Sequence, residues 1–185
     1  MKIILGFVGD LAGGKGTVCK YLKEKHGVNS YRFSTMLRDI LNRIYLPVSR
    51  ENLQVLSTLL RENFSQDVMS RVIKEDVIND PLEIVAVEGI RRPSDITYLQ
   101  ELDGFCLIYI TADPKIRWQR MVLRNENAGD VDKTLEQFLQ EEQAEADKMI
   151  KELGQKAKYT INNDGTIEEF YQNMENILNE LKTQK

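Results

Sequence analysis

The sequence predicts a doubly wound α/β fold on a five-stranded parallel sheet. Two observations lead there. Short, near-continuous apolar runs rich in β-branched residues recur along the chain, and segments with helical periodicity separate them. A parallel strand is covered by helices on both faces, so it need not alternate polar and apolar positions. A third observation sets the order of elements: the first apolar run ends in a glycine-rich bend that opens straight into a helical pattern. With 185 residues the chain is long enough for one domain with a sizeable core. It reads as a single unit over residues 1–185, with no repeat, low-complexity tract or interdomain linker.

Each element has a local reason. Residues 3–8 (Ile-Ile-Leu-Gly-Phe-Val) form the first strand, and the helical pattern from 14 to 25 follows the bend. Residues 30–33 make a short second strand. Ser34 is placed to cap a helix over 35–44, which ends before Pro47. Ser49 caps the next, whose Leu53, Leu56, Leu59 and Leu60 share a face, and a further helix over 67–78 stops at Asn79-Asp80-Pro81. Residues 83–87 are the third strand, with a helix expected over 93–102, and residues 105–111 are the fourth. Asp113-Pro114 is a cap and first-turn signature for a helix over 115–124. A single long helix is expected over 132–153, then a fifth strand over 158–162 and a closing helix over 165–181.

Composition narrows the function classes. Hydrophobic residues make up 42% of the chain, charged residues 29%, and the net charge is −4, the profile of a soluble globular protein. No broad basic stripe is present, which argues against duplex nucleic acid as a partner. His26 is the only histidine, which argues against a His-based triad or a multi-His metal site. Cys19 and Cys106 stand far apart and form neither a metal pair nor a redox pair. No run approaches the ~18 apolar residues of a membrane span. The single Lys and six-residue apolar run at the start do not make a secretory leader. A cytoplasmic location is expected, with no membrane partner; the oligomeric state is left open.

The bend itself reads Gly9-Asp10-Leu11-Ala12-Gly13-Gly14-Lys15-Gly16-Thr17. A tight loop of this kind presents backbone N–H groups to an anion, and the helix behind it adds partial positive charge. Glycines let the backbone come close, and Lys15 adds a full charge. Gly-x-x-x-x-Gly-Lys after a strand and before a helix is the phosphate-binding pattern in its required context. Here Gly16 stands where Ser or Thr is usual, and Thr17 comes next.

On these residues the chain resembles adenylate kinase and the other nucleoside monophosphate kinases, P-loop NTPases of the kinase type, although Leu11-Ala12-Gly13 departs from their common Pro-x-Gly-Ser stretch. The resemblance implies ATP with Mg²⁺, held at Gly9, Ala12, Gly13, Gly14, Lys15, Gly16, Thr17 and Val18, with Thr17 on the metal side. Val87-Glu88-Gly89-Ile90-Arg91-Arg92-Pro93 resembles their Asp-Gly-Phe-Pro-Arg turn. Glu88 then takes part in holding Mg²⁺, and Arg91 or Arg92 grips the acceptor phosphate; the plain alternative is a charged surface turn. Ser34-Thr35-Met36-Leu37-Arg38 is similar to the start of the acceptor-binding helix, making Arg38 a substrate candidate and residues 34–80 the acceptor-binding segment. Arg50, Arg61 and Arg71 are further candidates that surface ion pairs also explain. Arg117, Arg120 and Arg124 share one helix face, with Trp118, Met121, Val122 and Leu123 on the expected buried side. Arg120 and Arg124 resemble the arginines at the base of the family's lid, which would be short here, about residues 125–131. Asn163, in the turn after the fifth strand, corresponds to a backbone stretch near the adenine.

The implied activity is ATP-dependent phosphoryl transfer to a small-molecule acceptor, a nucleoside or deoxynucleoside monophosphate, with Lys15, Arg92, Arg120 and Arg124 as catalytic candidates. Dephospho-coenzyme A kinase is a related candidate, on the long helix before Tyr159-Thr160-Ile161-Asn162. A non-catalytic or regulatory ATP-binding protein is the reading of another class. Asp10 is either a base for an acceptor hydroxyl or a cap for the turn.

Overall fold

A computed structural model of the protein describes residues 2–124, 131–142 and 145–184; the side chains of Arg50, Glu141 and residues 145–148 are not among what it describes. The chain begins with β1 (Ile3–Gly9), whose seven residues are all buried. α1 (Lys15–His26) follows and is closed by Gly27, which adopts φ +66° and donates its N–H to the carbonyls of Leu22 and Lys23. Then come β2 (Asn29–Arg32), α2 (Phe33–Arg43), α3 (Arg50–Asn63) and α4 (Val68–Asn79). β3 (Ile84–Ile90), a one-turn α5 (Pro93–Ile96) and a 3₁₀ turn (Leu99–Glu101) lead to β4 (Phe105–Thr111). α6 (Pro114–Arg124), α7 (Leu135–Glu141), α8 (Glu145–Gln155), β5 (Tyr159–Asn162) and α9 (Ile167–Thr183) complete the described chain.

The five strands form one sheet in the order β2-β3-β1-β4-β5, and every pairing is parallel. This is the doubly wound α/β sheet expected from the apolar runs. Alternate residues of β1 serve opposite faces. Ile3, Leu5 and Phe7 join α1 and α9 in one core with Val18, Leu22, Phe170 and Met174. Ile4 and Val8 join α2, α4 and α8 in the other, with Leu37, Ile73, Ile90 and Leu153. Each fully buried side chain of this size contributes about 1.5–3 kcal/mol, so both cores are anchored beneath the carboxyl end of β1. β2 and β3 lie on one side of β1, and β4 and β5 on the other; ligands of open α/β sheets gather at such a switch point. Where β1 pairs with β3 the register slips: Phe7 faces Glu88, Val8 faces Ile90, and Gly89 (φ +82°) is an extra residue.

Four local expectations are corrected. Ser34 lies inside α2 and does not cap it; Arg32, at the cap position, has extended backbone and no capping side-chain bond. β3 runs on to Ile90, because its last residues still pair with β1, so Glu88 lies within the strand. The helix expected over 93–102 is two short turns. The helix expected over 132–153 is α7 and α8: Thr134 and Gln137 form a reciprocal capping box that starts α7 at Leu135, and Glu142 caps its end. Ser49 does cap α3, accepting the Asn52 N–H at 3.1 Å. Among the described residues no helix is long and apolar enough to cross a membrane.

Candidate functional site

The loop between β1 and α1 is held by its carbonyls. Lys15 Nζ donates to the carbonyl oxygens of Gly9 (2.6 Å) and Asp10 (2.8 Å). The Gly13 N–H also reaches the Asp10 carbonyl, at 3.1 Å. The Gly13 carbonyl accepts from the Asn163 side-chain amide at 2.9 Å. Gly14, at φ +118°, is the N-cap of α1; it offers no side chain, and the first turn contains no acid. The Lys15, Gly16 and Thr17 N–H groups therefore have no intrahelical acceptor and stand at the positive end of the helix dipole. Val18 already donates its N–H to the Gly14 carbonyl and is fully buried, so it adds neither amide nor side chain to the mouth of the loop.

Glycine is required at two points. A Cβ on Gly9 would fall 2.1 Å from the Ile110 carbonyl oxygen, and one on Gly14 2.5 Å from the Asn163 amide nitrogen. Ala12 accepts φ +57°, a conformation with a modest steric cost for an L residue. The concavity that results is the shape a polyphosphate tail fills.

Charges converge on Lys15. Burial pushes its ammonium down to about 8; the positive charge of Arg91 pushes the same way, while the carboxylates of Asp10 and Glu88 oppose. Asp10 is itself buried. Its Oδ2 accepts from the Tyr109 hydroxyl at 2.9 Å and the Thr111 hydroxyl at 2.6 Å. Burial first, then the Asp10 charge and hydrogen bond, push the Tyr109 phenol up to about 12. Asp10 thus ties the loop to β4, which favours the structural reading of that residue over a free base.

Glu88, near the end of β3, pairs with Arg32 of the neighbouring β2 at 2.8 Å. Thr17 is exposed on the first turn of α1. Among the described residues no three His, Cys, Asp or Glu side chains cluster as a metal cage. A Mg²⁺ ion bound through nucleotide phosphates needs only one or two protein oxygens, and a hydroxyl plus a carboxylate fit that chemistry.

Beyond Glu88 and Gly89 the side chains of Arg91 and Arg92 are exposed, but their backbone is fixed. Asp95 Oδ2 accepts the N–H groups of Arg91 (2.9 Å) and Arg92 (3.0 Å). Its Oδ1 accepts Arg61 Nη2 at 2.7 Å in a pair that is almost wholly buried. Arg61 is therefore committed inside the protein, not at the surface. Arg38 and Arg71 are exposed, and the Arg50 side chain lies outside the described residues.

The three α6 arginines separate. Arg117 is 3% exposed, not part of a wet face. It donates to the Ala112 carbonyl at 2.8 Å, forks onto Glu142, and lies over the Phe138 ring. Burial opposes its charge, but the Glu142 carboxylate outweighs that and raises its pKa. Arg120 is half-buried, and its Nη1 is buried with no hydrogen-bond partner among the described residues. Arg124 is exposed at the end of the helix. Leu123, expected on the buried side, is 85% exposed, because Met121 and Arg117 define the inward face. Trp118 donates its indole N–H to the Lys133 carbonyl at 2.7 Å. The lid expectation falls on residues 125–130, outside the described residues, and on Val131, which is exposed.

Asn163 binds the loop with its side chain and donates its own N–H to the Thr111 carbonyl at 2.8 Å. A cavity of about 270 Å³ lies beside it, between Thr166, Glu169, Phe170 and Asn173. Sequence reading missed Arg32, Asp95 and the Tyr109–Thr111 pair. For Asp95 a signal exists, since Pro93-Ser94-Asp95 places an acid at the third helical position, where it reaches back to the cap.

A family model described as an AAA domain matches residues 12–139. The chain belongs to that family. Along nearly its whole length the chain is similar to UPF0200 proteins. It is 27% identical to one from Staphylothermus marinus, over 98% of this chain and 94% of that protein. It is also 27% identical to one from Pyrococcus abyssi, with 97% of each covered. Among solved structures, TT1252 from Thermus thermophilus superposes with a TM-score of 0.62 at 17% identity, over 97% of this chain and 98% of that one. The shikimate kinase of Bacteroides thetaiotaomicron superposes at 0.61 and 14% identity, over 96% and 98%. At these identities the likeness is one of fold, and the fold is of the P-loop kinase type.

Proposed function

We propose that the protein transfers a phosphoryl group from ATP to a small acceptor, with a nucleoside or deoxynucleoside monophosphate as the acceptor class. The observation that carries this reading is the loop at residues 9–17: its carbonyls are bonded by Lys15 and Asn163, its helix-start amides have no acceptor within the helix, and the charges of Arg91 and Glu88 act on Lys15. Phosphoryl transfer depends on positioning and charge neutralisation more than on covalent chemistry, and these are the groups provided.

In this reading Gly9, Ala12, Gly13 and Gly14 shape the cradle, while Lys15 and the amides of Gly16 and Thr17 hold the outer phosphates. The Thr17 hydroxyl and the Glu88 carboxylate hold Mg²⁺, which would neutralise charge on those phosphates when bound. Arg91 or Arg92, with Arg38 from the 34–80 segment, orients the acceptor. Arg120, whose buried Nη1 has no hydrogen-bond partner among the described residues, and Arg124 meet the negative charge that develops during transfer. Asn163 supports the reading in a different way from the one its position implied: its side chain props the loop, and the cavity beside it accommodates a base.

Purified protein is incubated with γ-labelled ATP, Mg²⁺ and, separately, each nucleoside monophosphate, each deoxynucleoside monophosphate and dephospho-coenzyme A. Label appearing in a nucleoside diphosphate supports the proposal. Label in coenzyme A moves the acceptor to a ribose hydroxyl. ATP binding with no transfer to any of them leaves a nucleotide-binding protein and overturns the enzyme reading.

A further inference from the structure

Asp95 is 3% exposed and uses both carboxylate oxygens. One accepts the backbone N–H groups of Arg91 and Arg92, at 2.9 and 3.0 Å. The other takes Arg61 Nη2 at 2.7 Å. The Asp95 N–H returns to the Arg92 carbonyl at 2.9 Å. Arg61, near the end of α3, also donates through Nη1 to the Gln66 carbonyl and to Ser94 Oγ. One buried ion pair thus joins three pieces of chain: the end of α3, the α3–α4 connection, and the turn that carries Arg91 and Arg92.

Packing alone does not call for this arrangement. A buried ion pair loses solvation on both partners, and apolar residues of similar size are often as stable in its place. Nor is the carboxylate sustaining a long helix, because α5 has four residues. What the pair does is fix backbone direction in a turn whose side chains stay exposed. We propose that Asp95 is a positioning residue for Arg91 and Arg92, and that the Arg61–Asp95 pair couples the acceptor-side segment to the aim of those two arginines. This inference rests on the phosphoryl-transfer reading for its functional meaning, but its geometry can be tested without nucleotide.

Two readouts decide it. The first is amide hydrogen exchange at Arg91 and Arg92, followed by NMR on the full chain without ATP. Both amides are protected in the wild type. Both exchange fast in Arg61→Met/Asp95→Ala, in which no buried charge is left unpaired. The second is the labelled-ATP assay with the panel's nucleoside monophosphates. The double variant raises the acceptor KM by about tenfold or more, while the ATP KM stays within about twofold. A purely structural role would lower the folded fraction, reducing apparent kcat and leaving both KM values in place. Fast exchange of these amides in the wild type overturns the proposal, as does a folded double variant with protected amides or an unmoved acceptor KM. If the double variant does not fold, the wild-type exchange rates still decide. If no monophosphate turns over, the function reading fails while the exchange experiment keeps its answer.

Discussion

The loop after β1 and the turn after β3 lie side by side at the same edge of the sheet, and each leads into a helix. They are immobilised in opposite ways. In the loop the carbonyls are taken: Gly9 and Asp10 by Lys15, Gly13 by Asn163. In the turn the N–H groups are taken, both by Asp95. The difference follows from what each must present. A loop that recognises anions with its amides has to be anchored through its acceptors, since an occupied N–H cannot meet a phosphate. A turn that recognises anions with side chains can be anchored through its donors and leave the guanidinium groups free.

The largest expected effect comes from the residue shared by anchoring and recognition. Lys15→Ala removes both bonds that close the loop and the charge at its centre, so transfer falls about 10²–10³-fold or more; labelled-ATP turnover measures it, and unchanged turnover would break the comparison at its root. Next is Gly14→Ala. An L residue at φ +118°, with its Cβ 2.5 Å from the Asn163 amide nitrogen, costs about 1–3 kcal/mol, seen as a lower urea midpoint and a weaker ATP affinity by calorimetry. Asn163→Ala leaves the Gly13 carbonyl unpaired at a cost of about 1–3 kcal/mol, raising the ATP KM and leaving the acceptor KM unchanged, the reverse of the Asp95 pattern. Gly14→Ala and Asn163→Ala disturb the same contact, so the double variant should lose less than the sum of the two.

The smallest effect lies far from the site and serves as its control. Glu175 on α9 accepts from His26 and Tyr21 at 2.7 Å each, and Lys25 lies 3.2 Å away. Partial burial favours its neutral form, but these bonds outweigh that and bring it down to about 2 from an ordinary 4.5. A depressed carboxylate stabilises the fold above about pH 4.5, and that stability is lost as pH falls toward 2. Glu175→Gln should therefore flatten the acid limb of an unfolding-versus-pH curve while leaving transfer at neutral pH as it was.

How far the site was legible depended on the range of the interaction involved. The β1 run, the glycines and Lys15 are contiguous, and their meaning is local, so strand, bend and helix could be read directly. The Glu88-to-Arg92 stretch was legible as a charged segment at the tip of the third strand for the same reason, although Glu88 itself lies within β3. Arg61 was not, because its partner lies 34 residues away, and a lone Arg on a helix looks like any solvated one. Arg117 misled in the same manner: its spacing matches Arg120 and Arg124, but the Glu142 carboxylate that draws it inward comes from another helix. The break between α7 and α8 was hidden because helical periodicity continues through it, and only the Thr134–Gln137 cap marks where α7 starts.

The extra residue at Gly89 carries a consequence for how this protein tolerates change in length. Side chains along a strand alternate between the two faces, so one additional residue reverses the parity of all that follow. Here that reversal returns Ile90, opposite Val8, to the core that holds Val85 and Val87; a single-codon deletion of Gly89 would therefore keep Ile90 on that face and remove only the local bend in the strand that leads to Arg91 and Arg92.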